Sequence, residues 1–307
     1  MDRKTGLDIV RVIATLEVIC LHASTNSIIK LMCSNCVLLF VMISGAIHLN
    51  EDYEFDYSKM VRKILRIVLS FAICSIVYAL LFDDTSSVRT ILRNILAGHY
   101  HLWFLYMMAG LYLVTPIIKY IIKDKRIYYY FFVLSFLTAI VGTTISEFSS
   151  LEAISYVIGL LNIHIGLGYV FVYILGRELV AREFSKQERI LIYIAGLISL
   201  LVARKFSFSD NNLFRVIYAA ASFILLFEAG SKITNERMIV LLKKLSDKCF
   251  IVYLVHAAVI YIVTDLCSCY WEIGEIIRII IVMAGSFLVA SIIRVITNIT
   301  RTKYNSI

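Results

Sequence analysis

Residues 64–82 read ILRIVLSFAICSIVYALLF, a nearly unbroken apolar run whose one charged side chain is Arg66. A membrane-spanning helix needs about 20 mainly apolar residues, and this stretch is long enough. Residues 276–293, IIRIIIVMAGSFLVASII, form a similar run near the end of the chain. Runs of this kind predict an all-α integral membrane protein.

The composition of the whole chain points to the same class. Its 307 residues are 60% hydrophobic and only 17% charged, and the mean hydropathy is +0.85. A typical soluble chain is about 45–50% apolar and about 25% charged. These values exclude a soluble domain, a nucleic-acid-binding protein and a disordered tail. Since no linker or repeat interrupts the chain, we expect one membrane-embedded domain over residues 1–307.

Ten apolar stretches are long enough to be candidate transmembrane helices. They cover residues 6–28, 32–49, 62–82, 101–122, 127–146, 153–175, 188–204, 212–230, 249–266 and 274–297. Short polar segments connect them. The sequence therefore predicts about ten transmembrane helices.

The basic residues give these spans an orientation, because cytoplasmic segments carry an excess of Lys and Arg. If the N-terminus is cytoplasmic, all but seven of the 30 basic residues fall in inner segments; the exceptions are Lys30, Arg89, Arg93, Arg204, Lys205, Arg215 and Arg278. An error of one span would exchange inner and outer segments downstream. The pattern predicts an even number of spans with both termini cytoplasmic, and it makes the net charge of +8 an orientation signal.

The first span carries ionisable side chains, which at membrane depth usually face a bundle interior or a wet cavity. Arg11 and His22 lie on one helix face, about 16 Å apart along the axis. Asp8 is three residues before Arg11 and can pair with it, whereas Glu17 points roughly 140° away from His22. We interpret Asp8 and Glu17 as structural. His22 is the candidate general base, because a neutral imidazole suits that role.

Basic and small residues in the second and third spans are further candidates. Ser44, next to Gly45, belongs to a small pair that lets a ligand or another helix approach closely, and helix packing is the favoured reading. Arg62, Lys63 and Arg66 lie at the predicted inner surface, where such a cluster can hold phosphates. The alternative for this cluster is generic anchoring at the inner face.

The fourth and ninth spans supply weaker candidates for substrate contacts. They are His101 and Trp103 at the predicted outer end of the fourth span, and His256 within the ninth. Trp103 has an alternative role as an interfacial residue, and His256 has one as a structural histidine. Pro116 is expected to end or bend the helix that contains it.

Cysteine and metal chemistry are not expected to carry the function. Four cysteines fall in segments predicted to be outside, where a disulfide is possible: Cys33, Cys36, Cys267 and Cys269. No metal site is expected, because no histidine lies close to them in sequence. His164 receives no role.

Several short motifs follow one another along the chain. They are Gly6-Leu-Asp8, Arg11, Ala14 and His22; Phe40 and Ser44-Gly45; Arg62 and Arg66; His101-Leu-Trp-Phe-Leu and Pro116; and Ile251-Val-Tyr-Leu-Val-His256. This order resembles the acyltransferase-3 family of multi-spanning membrane O-acyltransferases, over the whole chain and in what looks like the stand-alone form. The most specific element is the spacing of Arg11 and His22.

The resemblance implies transfer of an acyl group, usually acetyl from acetyl-CoA, to a hydroxyl of a cell-envelope saccharide at the bacterial cytoplasmic membrane. It implies no permanently bound cofactor and no nucleic-acid partner; the partners are the donor, the saccharide and the bilayer. His22 would remove the hydroxyl proton or, in a less favoured version, carry the acyl group. Arg11 would orient the donor or balance the oxyanion. Arg62, Lys63 and Arg66 would hold the donor's phosphates.

Two other functions stay open from the sequence. One is a transporter or exporter of a small polar solute or envelope precursor, a class whose folds often show broken helices and an internal repeat. No repeat is detectable here, and Pro116 is the one proline. The other is a non-catalytic membrane partner of an envelope synthase.

Overall fold

The computed structural model of the protein describes residues 3–50, 55–83, 87–160, 168–205, 212–266 and 274–304. Within these ranges the regular structure is helical, so the predicted all-α class is confirmed. The helices are α1 (Arg3–Ala23), α2 (Ser27–Met32), α3 (Cys36–His48), α4 (Tyr57–Leu81), α5 (Val88–Ala97), α6 (Trp103–Ile122), α7 (Lys125–Ser135), α8 (Gly142–Ser146), α9 (Glu152–Leu160), α10 (Val170–Ala181), α11 (Lys186–Lys205), α12 (Leu213–Ser231), α13 (Glu236–Ser246), α14 (Cys249–Leu266) and α15 (Glu275–Tyr304). A π-helical segment, Phe136–Val141, joins α7 to α8, and a 3-10 turn, Ser149–Leu151, precedes α9.

Six stretches of the described chain are long and apolar enough to cross a membrane. They are Ser27–His48, Tyr57–Leu81, Trp103–Ile122, Lys125–Ser146, Leu213–Ser231 and Glu275–Thr297. A seventh exists if α13 and α14, which are bent by 57° at the break between them, form one broken span. The protein is a multi-pass membrane protein, while the number of ten helices and the cytoplasmic position of both termini stay predictions.

Three predicted spans are not among these six or seven, and each has a physical reason. Helix α1 contains Asp8, Arg11 and Glu17, and α11 has charged residues near both ends. The predicted span 153–175 includes residues 161–167, which lie outside the described residues; its described helical parts belong to α9 and α10, each too short to cross a bilayer alone. Charge in a helix argues for contact with protein rather than with lipid.

The chain divides into two compact units. Unit 1 comprises residues 1–33, 70–103 and 229–307, and unit 2 comprises residues 34–69 and 104–228. Helix α4 contributes residues to both. The single domain over residues 1–307 stays a prediction.

In unit 1, α1 packs against α13, α14 and α15, and α14 packs against α15. The buried core of this packing is apolar and consists of Ile19, Ala23, Val252, Val259, Ile279, Val282 and Ala290. Because lipid tails are as apolar as these side chains, close van der Waals packing rather than removal from water favours the association. The charged first helix is thereby held inside a helical bundle.

The end of α1 is fixed to the start of α15 by one carboxylate. Glu275 Oε1 accepts hydrogen bonds from Ser24 Oγ at 2.7 Å, from the backbone nitrogen of Thr25 at 2.7 Å and from that of Asn26 at 2.9 Å. Asn26 in turn caps α2 through its side chain. The residues that directly follow His22 therefore have a defined position relative to α15.

In unit 2, α3 and α10 pack so closely that their backbones touch. A Cβ atom added at Gly45 would lie 1.7 Å from the carbonyl oxygen of Tyr173, and one added at Gly176 would lie 2.1 Å from the carbonyl oxygen of Met42. At Gly45 this contact confirms the helix packing that was favoured for the Ser44-Gly45 pair. Small residues are the usual means of bringing two membrane helices together.

Two cations hold the C-terminal end of α3. Lys119 Nζ donates to the carbonyl oxygen of Asn50 at 3.1 Å, and Arg177 Nε donates to that of Leu49 at 3.0 Å. Positive charge is favourable at this end of a helix, where carbonyl groups lack intrahelical partners. These two side chains therefore have a structural role in unit 2.

Pro116 does not end its helix, so that part of the prediction is wrong. Helix α6 continues from Trp103 through Pro116 to Ile122. Proline removes only one N–H donor, and membrane helices tolerate this where other groups satisfy the freed carbonyl. Polar groups are present nearby: Thr115 Oγ1 donates to the carbonyl oxygen of Leu111 at 2.8 Å and lies 2.9 Å from the Tyr173 hydroxyl.

The contact at Gly45 leads to a prediction about stability. Gly45→Ala should lower the stability of the folded protein by about 3 kcal/mol, because a backbone carbonyl cannot move aside as a flexible side chain does. The measurement is the midpoint of thermal unfolding in detergent. Gly110→Ala in α6 is the matched control, since a Cβ there meets no atom within 4 Å. Equal midpoints for the two variants would contradict the close packing of α3 on α10.

Candidate functional site

Three predicted site residues meet in unit 1. His22 lies near the end of α1, His101 directly before α6, and His256 within α14. The rings of His22 and His256 are stacked, with centroids 5.3 Å apart. The rings of His101 and His256 meet edge to face at 4.9 Å. We call His22, His101 and His256 the histidine cluster.

Burial differs within the histidine cluster. His256 is fully buried and His101 nearly so, whereas His22 is half-buried. The Nε2 atoms of His101 and His256 are buried and form no hydrogen bond within the described part of the chain. An unsatisfied buried polar group costs about 1–3 kcal/mol, so such groups call for a functional explanation.

The backbone fixes the proton position on His256. Its Nδ1 atom is 2.7 Å from the carbonyl oxygen of Tyr253. Because a carbonyl oxygen only accepts, Nδ1 carries the hydrogen of this bond. In the neutral ring, Nε2 is therefore a lone-pair acceptor.

Two tyrosine hydroxyls hold the helices around the cluster. The Tyr78 hydroxyl donates to the carbonyl oxygen of Leu254 at 2.9 Å and accepts from the backbone nitrogen of Ala258 at 3.0 Å. It therefore lies between two groups that pair with each other in a regular α-helix. The Tyr253 hydroxyl donates to the carbonyl oxygen of His101. These bonds fix α4 and the segment before α6 to α14.

His99 is a fourth histidine at this site, and sequence reasoning gave it no role. Its Nδ1 lies 3.1 Å from Nδ1 of His101, and its Nε2 lies 3.4 Å from the Tyr261 hydroxyl. Asp83 Oδ1 is 3.6 Å from the same Nε2. Burial lowers the pKa of His99, and the nearby carboxylate of Asp83 opposes this lowering.

Tyr100 lies against the accessible member of the cluster. Its ring centroid is 5.0 Å from that of His22 and 4.5 Å from that of His99. Burial raises the pKa of the Tyr100 phenol to about 12, so its hydroxyl keeps its proton near neutral pH. The signal that could have drawn attention to this segment is the pair of histidines two residues apart, His99 and His101.

Arg11 lies outside the histidine cluster, in a separate polar contact of unit 1. Its guanidinium donates to Asp8 Oδ1 at 3.0 Å and to Ser246 Oγ at 2.6 Å. Ser246 Oγ also donates to Asp8 Oδ1, at 2.5 Å. The predicted pairing of Asp8 and Arg11 is confirmed. Ser246, which joins this pair to α13, was missed because the contact crosses from one helix to another.

The guanidinium of Arg11 is bound toward the beginning of α1, whereas His22 lies near the other end of this helix. Asp8 precedes Arg11 by about one turn, whereas His22 follows it by about three turns, or 16 Å. Both residues belong to the continuous helix α1. The bonds to Asp8 and Ser246 hold the positive charge toward the beginning of α1.

Lys63 in unit 2 contacts a buried histidine. Its Nζ atom is 2.6 Å from His48 Nε2, and His48 Nδ1 is 2.8 Å from the carbonyl oxygen of Ser44. The carbonyl fixes the hydrogen on Nδ1, so Nε2 accepts from the Lys63 ammonium. Ser44 Oγ lies 3.3 Å from the Tyr112 hydroxyl; its substrate role stays a prediction.

Arg62 and Arg66 lie on an exposed part of α4 in unit 2, one turn apart. Arg62 Nε donates to the carbonyl oxygen of Ser58 at 3.2 Å. Trp103, in unit 1, is the first residue of α6 and is 41% exposed. The roles predicted for these three side chains in donor and substrate binding stay predictions.

Cysteine chemistry and metal binding receive little support from the described residues. Cys33 and Cys36 are present as thiols. Cys267, Cys269 and His164 lie outside the described residues. Within the described ranges, no three His, Cys, Asp or Glu side chains are arranged to hold a metal ion.

The sequence model of one family, described as an acyltransferase domain, matches residues 4–295. The chain belongs to the acyltransferase-3 family. The match confirms the resemblance that the ordered motifs indicated, and the protein is accordingly a membrane acyltransferase. Comparisons of this acyltransferase with curated proteins and with solved structures gave no match.

The contact between Asp8 and Arg11 can be tested by its coupling energy. A double-mutant cycle of Asp8→Ala and Arg11→Ala on unfolding in detergent should give about 1–2 kcal/mol, because the pair is partly buried and shares Ser246. The pair Lys59 and Asp56, with the same spacing but greater exposure, is the matched control and should couple less. Similar coupling in both cycles would contradict a specific contact between Asp8 and Arg11.

Proposed function

We propose that this membrane acyltransferase moves an acyl group, acetyl in the first instance, from acyl-CoA to a hydroxyl of a cell-envelope saccharide in the bacterial cytoplasmic membrane. The observation that carries the proposal is the half-buried ring of His22 stacked on the buried ring of His256. A histidine with one accessible edge and a packed rear face is suited to proton transfer with a bound hydroxyl.

In the proposed reaction His22 is the general base. It takes the proton of the acceptor hydroxyl while the oxygen attacks the thioester carbonyl. The C–O bond of the ester forms, the C–S bond breaks, and CoA leaves as a thiolate that takes a proton from water. The less favoured version, in which His22 carries the acyl group between donor and acceptor, uses the same accessible edge.

His101 and His256 are proposed to contact the substrate beside His22. Their two Nε2 atoms are buried polar groups without a hydrogen-bond partner among the described residues. A substrate hydroxyl or carbonyl oxygen would supply the missing bond and recover part of the cost of burial. Ser44 and Trp103 remain weaker candidates for saccharide contacts, because no comparable unsatisfied atom supports them.

Arg11 is proposed to orient the donor rather than to balance the oxyanion. Its guanidinium is bound to Asp8 and Ser246, about three helical turns from His22. That distance is too large for direct contact with an oxyanion formed beside His22. It is compatible with contact to a more distant part of an extended donor such as acetyl-CoA.

Arg62, Lys63 and Arg66 are proposed to hold the phosphates of acetyl-CoA. The exposure of Arg62 and Arg66 on one part of α4 leaves their guanidinium groups accessible to a ligand that arrives from water. Charge-assisted bonds from arginine to phosphate are among the stronger hydrogen bonds in proteins. Lys63 contributes positive charge from its position beside His48.

The transporter alternative has one feature in its favour, the broken span formed by α13 and α14. The match to an acyltransferase family over residues 4–295 argues against it. A non-catalytic partner of an envelope synthase is disfavoured by the same match. We therefore retain acyl transfer as the proposed function.

The role of His22 is tested by replacing it in the full chain. His22→Ala should lower acetylation of the envelope saccharide by about 10²–10⁴-fold, because general base catalysis contributes that much. Acetyl groups on the isolated glycan would be counted by mass spectrometry, and the amount of inserted protein by immunoblot. Leu21→Ala, the neighbouring change on α1, is the control. Full acetylation by the His22→Ala strain would exclude His22 as the base.

The donor site is tested by removing two charges together. The double variant Arg62→Ala, Arg66→Ala should raise the KM for acetyl-CoA by about tenfold or more and leave kcat nearly unchanged, because it removes binding rather than chemistry. The matched control is Arg89→Ala, Arg93→Ala, an exposed arginine pair with the same spacing on α5. An unchanged KM in the first variant, or an equal rise in both, would remove Arg62 and Arg66 from the donor site.

A further inference from the structure

A line of polar contacts in unit 1 leads from the histidine cluster to a partly exposed carboxylate. His101 Nδ1 and His99 Nδ1 are 3.1 Å apart. His99 Nε2 lies 3.6 Å from Asp83 Oδ1, and the Asp83 side chain is 23% exposed. The inner end of the line is His101 Nε2, which is buried and has no hydrogen-bond partner in the described chain.

The contact between His99 and His101 constrains both rings. Two neutral imidazoles that share a bond between their Nδ1 atoms hold one hydrogen between them, so one ring donates and the other accepts. If His101 donates, its Nε2 is a lone pair and His99 carries a hydrogen on Nε2, toward Asp83. If His99 donates, Nε2 of His101 carries a hydrogen instead. The proton position on His99 therefore decides whether His101 accepts or donates at its buried end.

These two arrangements differ by the passage of one proton along the line. A proton arriving at Nε2 of His101 displaces the hydrogen on its Nδ1 to His99, and the hydrogen on Nε2 of His99 moves to Asp83. At the end His99 donates to His101, Nε2 of His101 carries a hydrogen, and the carboxylate of Asp83 carries a proton. No bond other than those to hydrogen changes, and no oxidant or reductant is required.

We propose that Asp83, His99 and His101 form a proton path between the histidine cluster and water, and that it removes the proton released in acyl transfer. This inference rests on the proposed function. The proton of the acceptor hydroxyl, taken by His22, reaches Nε2 of His101 through a bridging water or substrate hydroxyl and leaves at Asp83. The thiolate of CoA is protonated separately from water.

Aromatic groups on the neighbouring elements hold His99 in this geometry. The ring of Tyr78, from α4, stacks on His99 with centroids 4.5 Å apart. The Tyr261 hydroxyl, from α14, lies 3.4 Å from Nε2 of His99, and Tyr100 packs against its ring. Among the described residues that face His99, Asp83 is charged; the others are Tyr78, Tyr100, Tyr261 and His101. A ring locked by packing keeps its two nitrogens aligned with their partners.

The kinetic test uses variants that each keep one polar contact of the line but cannot pass a proton. In His99→Asn the amide replaces Nδ1, and in Asp83→Asn the carboxylate is neutralised. Each should lower kcat about tenfold or more, leave the KM for acetyl-CoA unchanged and raise the solvent deuterium isotope effect on kcat. Imidazole added to the solution should restore part of the turnover of Asp83→Asn by accepting the proton from His99.

The control variant is judged by the same two quantities, kcat and the solvent deuterium isotope effect. Asp124→Asn removes the charge of an acid that caps α7, where asparagine caps equally well, and should leave kcat and the isotope effect unchanged. Unchanged kcat in both His99→Asn and Asp83→Asn would overturn the path. A lower kcat with an unchanged isotope effect and no rescue by imidazole would also overturn it, because these residues would then serve only the fold.

A spectroscopic readout separates this inference from the proposed function. The chain has six histidines, so ¹⁵N-histidine labelling of the protein in nanodiscs gives few ring signals. The wild type should show scalar coupling between two ring nitrogens across a hydrogen bond, and His99→Asn should remove it. Absence of this coupling overturns the path whatever the activity. Coupling in a protein that transfers no acyl group would instead refute the proposed function.

Discussion

The packing of α1 against α14 and α15 is the interaction on which the histidine cluster depends. Ile19 and Ala23 lie in the same buried core as Val252 and Val259, and these residues flank His22 on α1 and His256 on α14. Glu275 fixes the chain immediately after α1 to the first residue of α15. Because α1 carries charged side chains, it is stable at membrane depth only where protein groups satisfy them. The same packing therefore holds the helix and aligns the two rings.

Neighbouring groups form hydrogen bonds with one nitrogen of each buried ring in the histidine cluster. The carbonyl oxygen of Tyr253 assigns the hydrogen of His256, and Nδ1 of His101 shares one hydrogen with Nδ1 of His99. Each buried ring thus keeps one nitrogen satisfied and one available. Unsatisfied polar atoms reduce stability, and proteins retain them mainly where they serve a function. Here the ring of His256 stacks on His22, which is the ring in the cluster that is not fully buried.

The sequence predicted the all-α membrane class, the pairing of Asp8 with Arg11 and the three members of the histidine cluster. It could do so because a polar residue stands out within an apolar span. It did not predict that His22, His101 and His256 meet, since their contacts join distant parts of the chain. Ser246 was missed for the same reason, and so was the role of His99, although its spacing of two residues from His101 was visible in the sequence. Pro116 was overestimated as a helix terminator, because a membrane helix offers no water to compete for its backbone. The count of ten spans relied on apolar length, which does not separate helices facing lipid from charged helices such as α1.

In the proposed reaction His22 and His256 act as one unit in acyl transfer. A double-mutant cycle on kcat tests it most directly, with His22→Ala, His256→Asn and the double variant. Asparagine can keep the bond to the Tyr253 carbonyl while removing Nε2 of His256. If the two rings act as one unit, the double variant is no slower than His22→Ala alone, because residues that work together lose activity non-additively. Losses that multiply would contradict it and show that the two rings act independently.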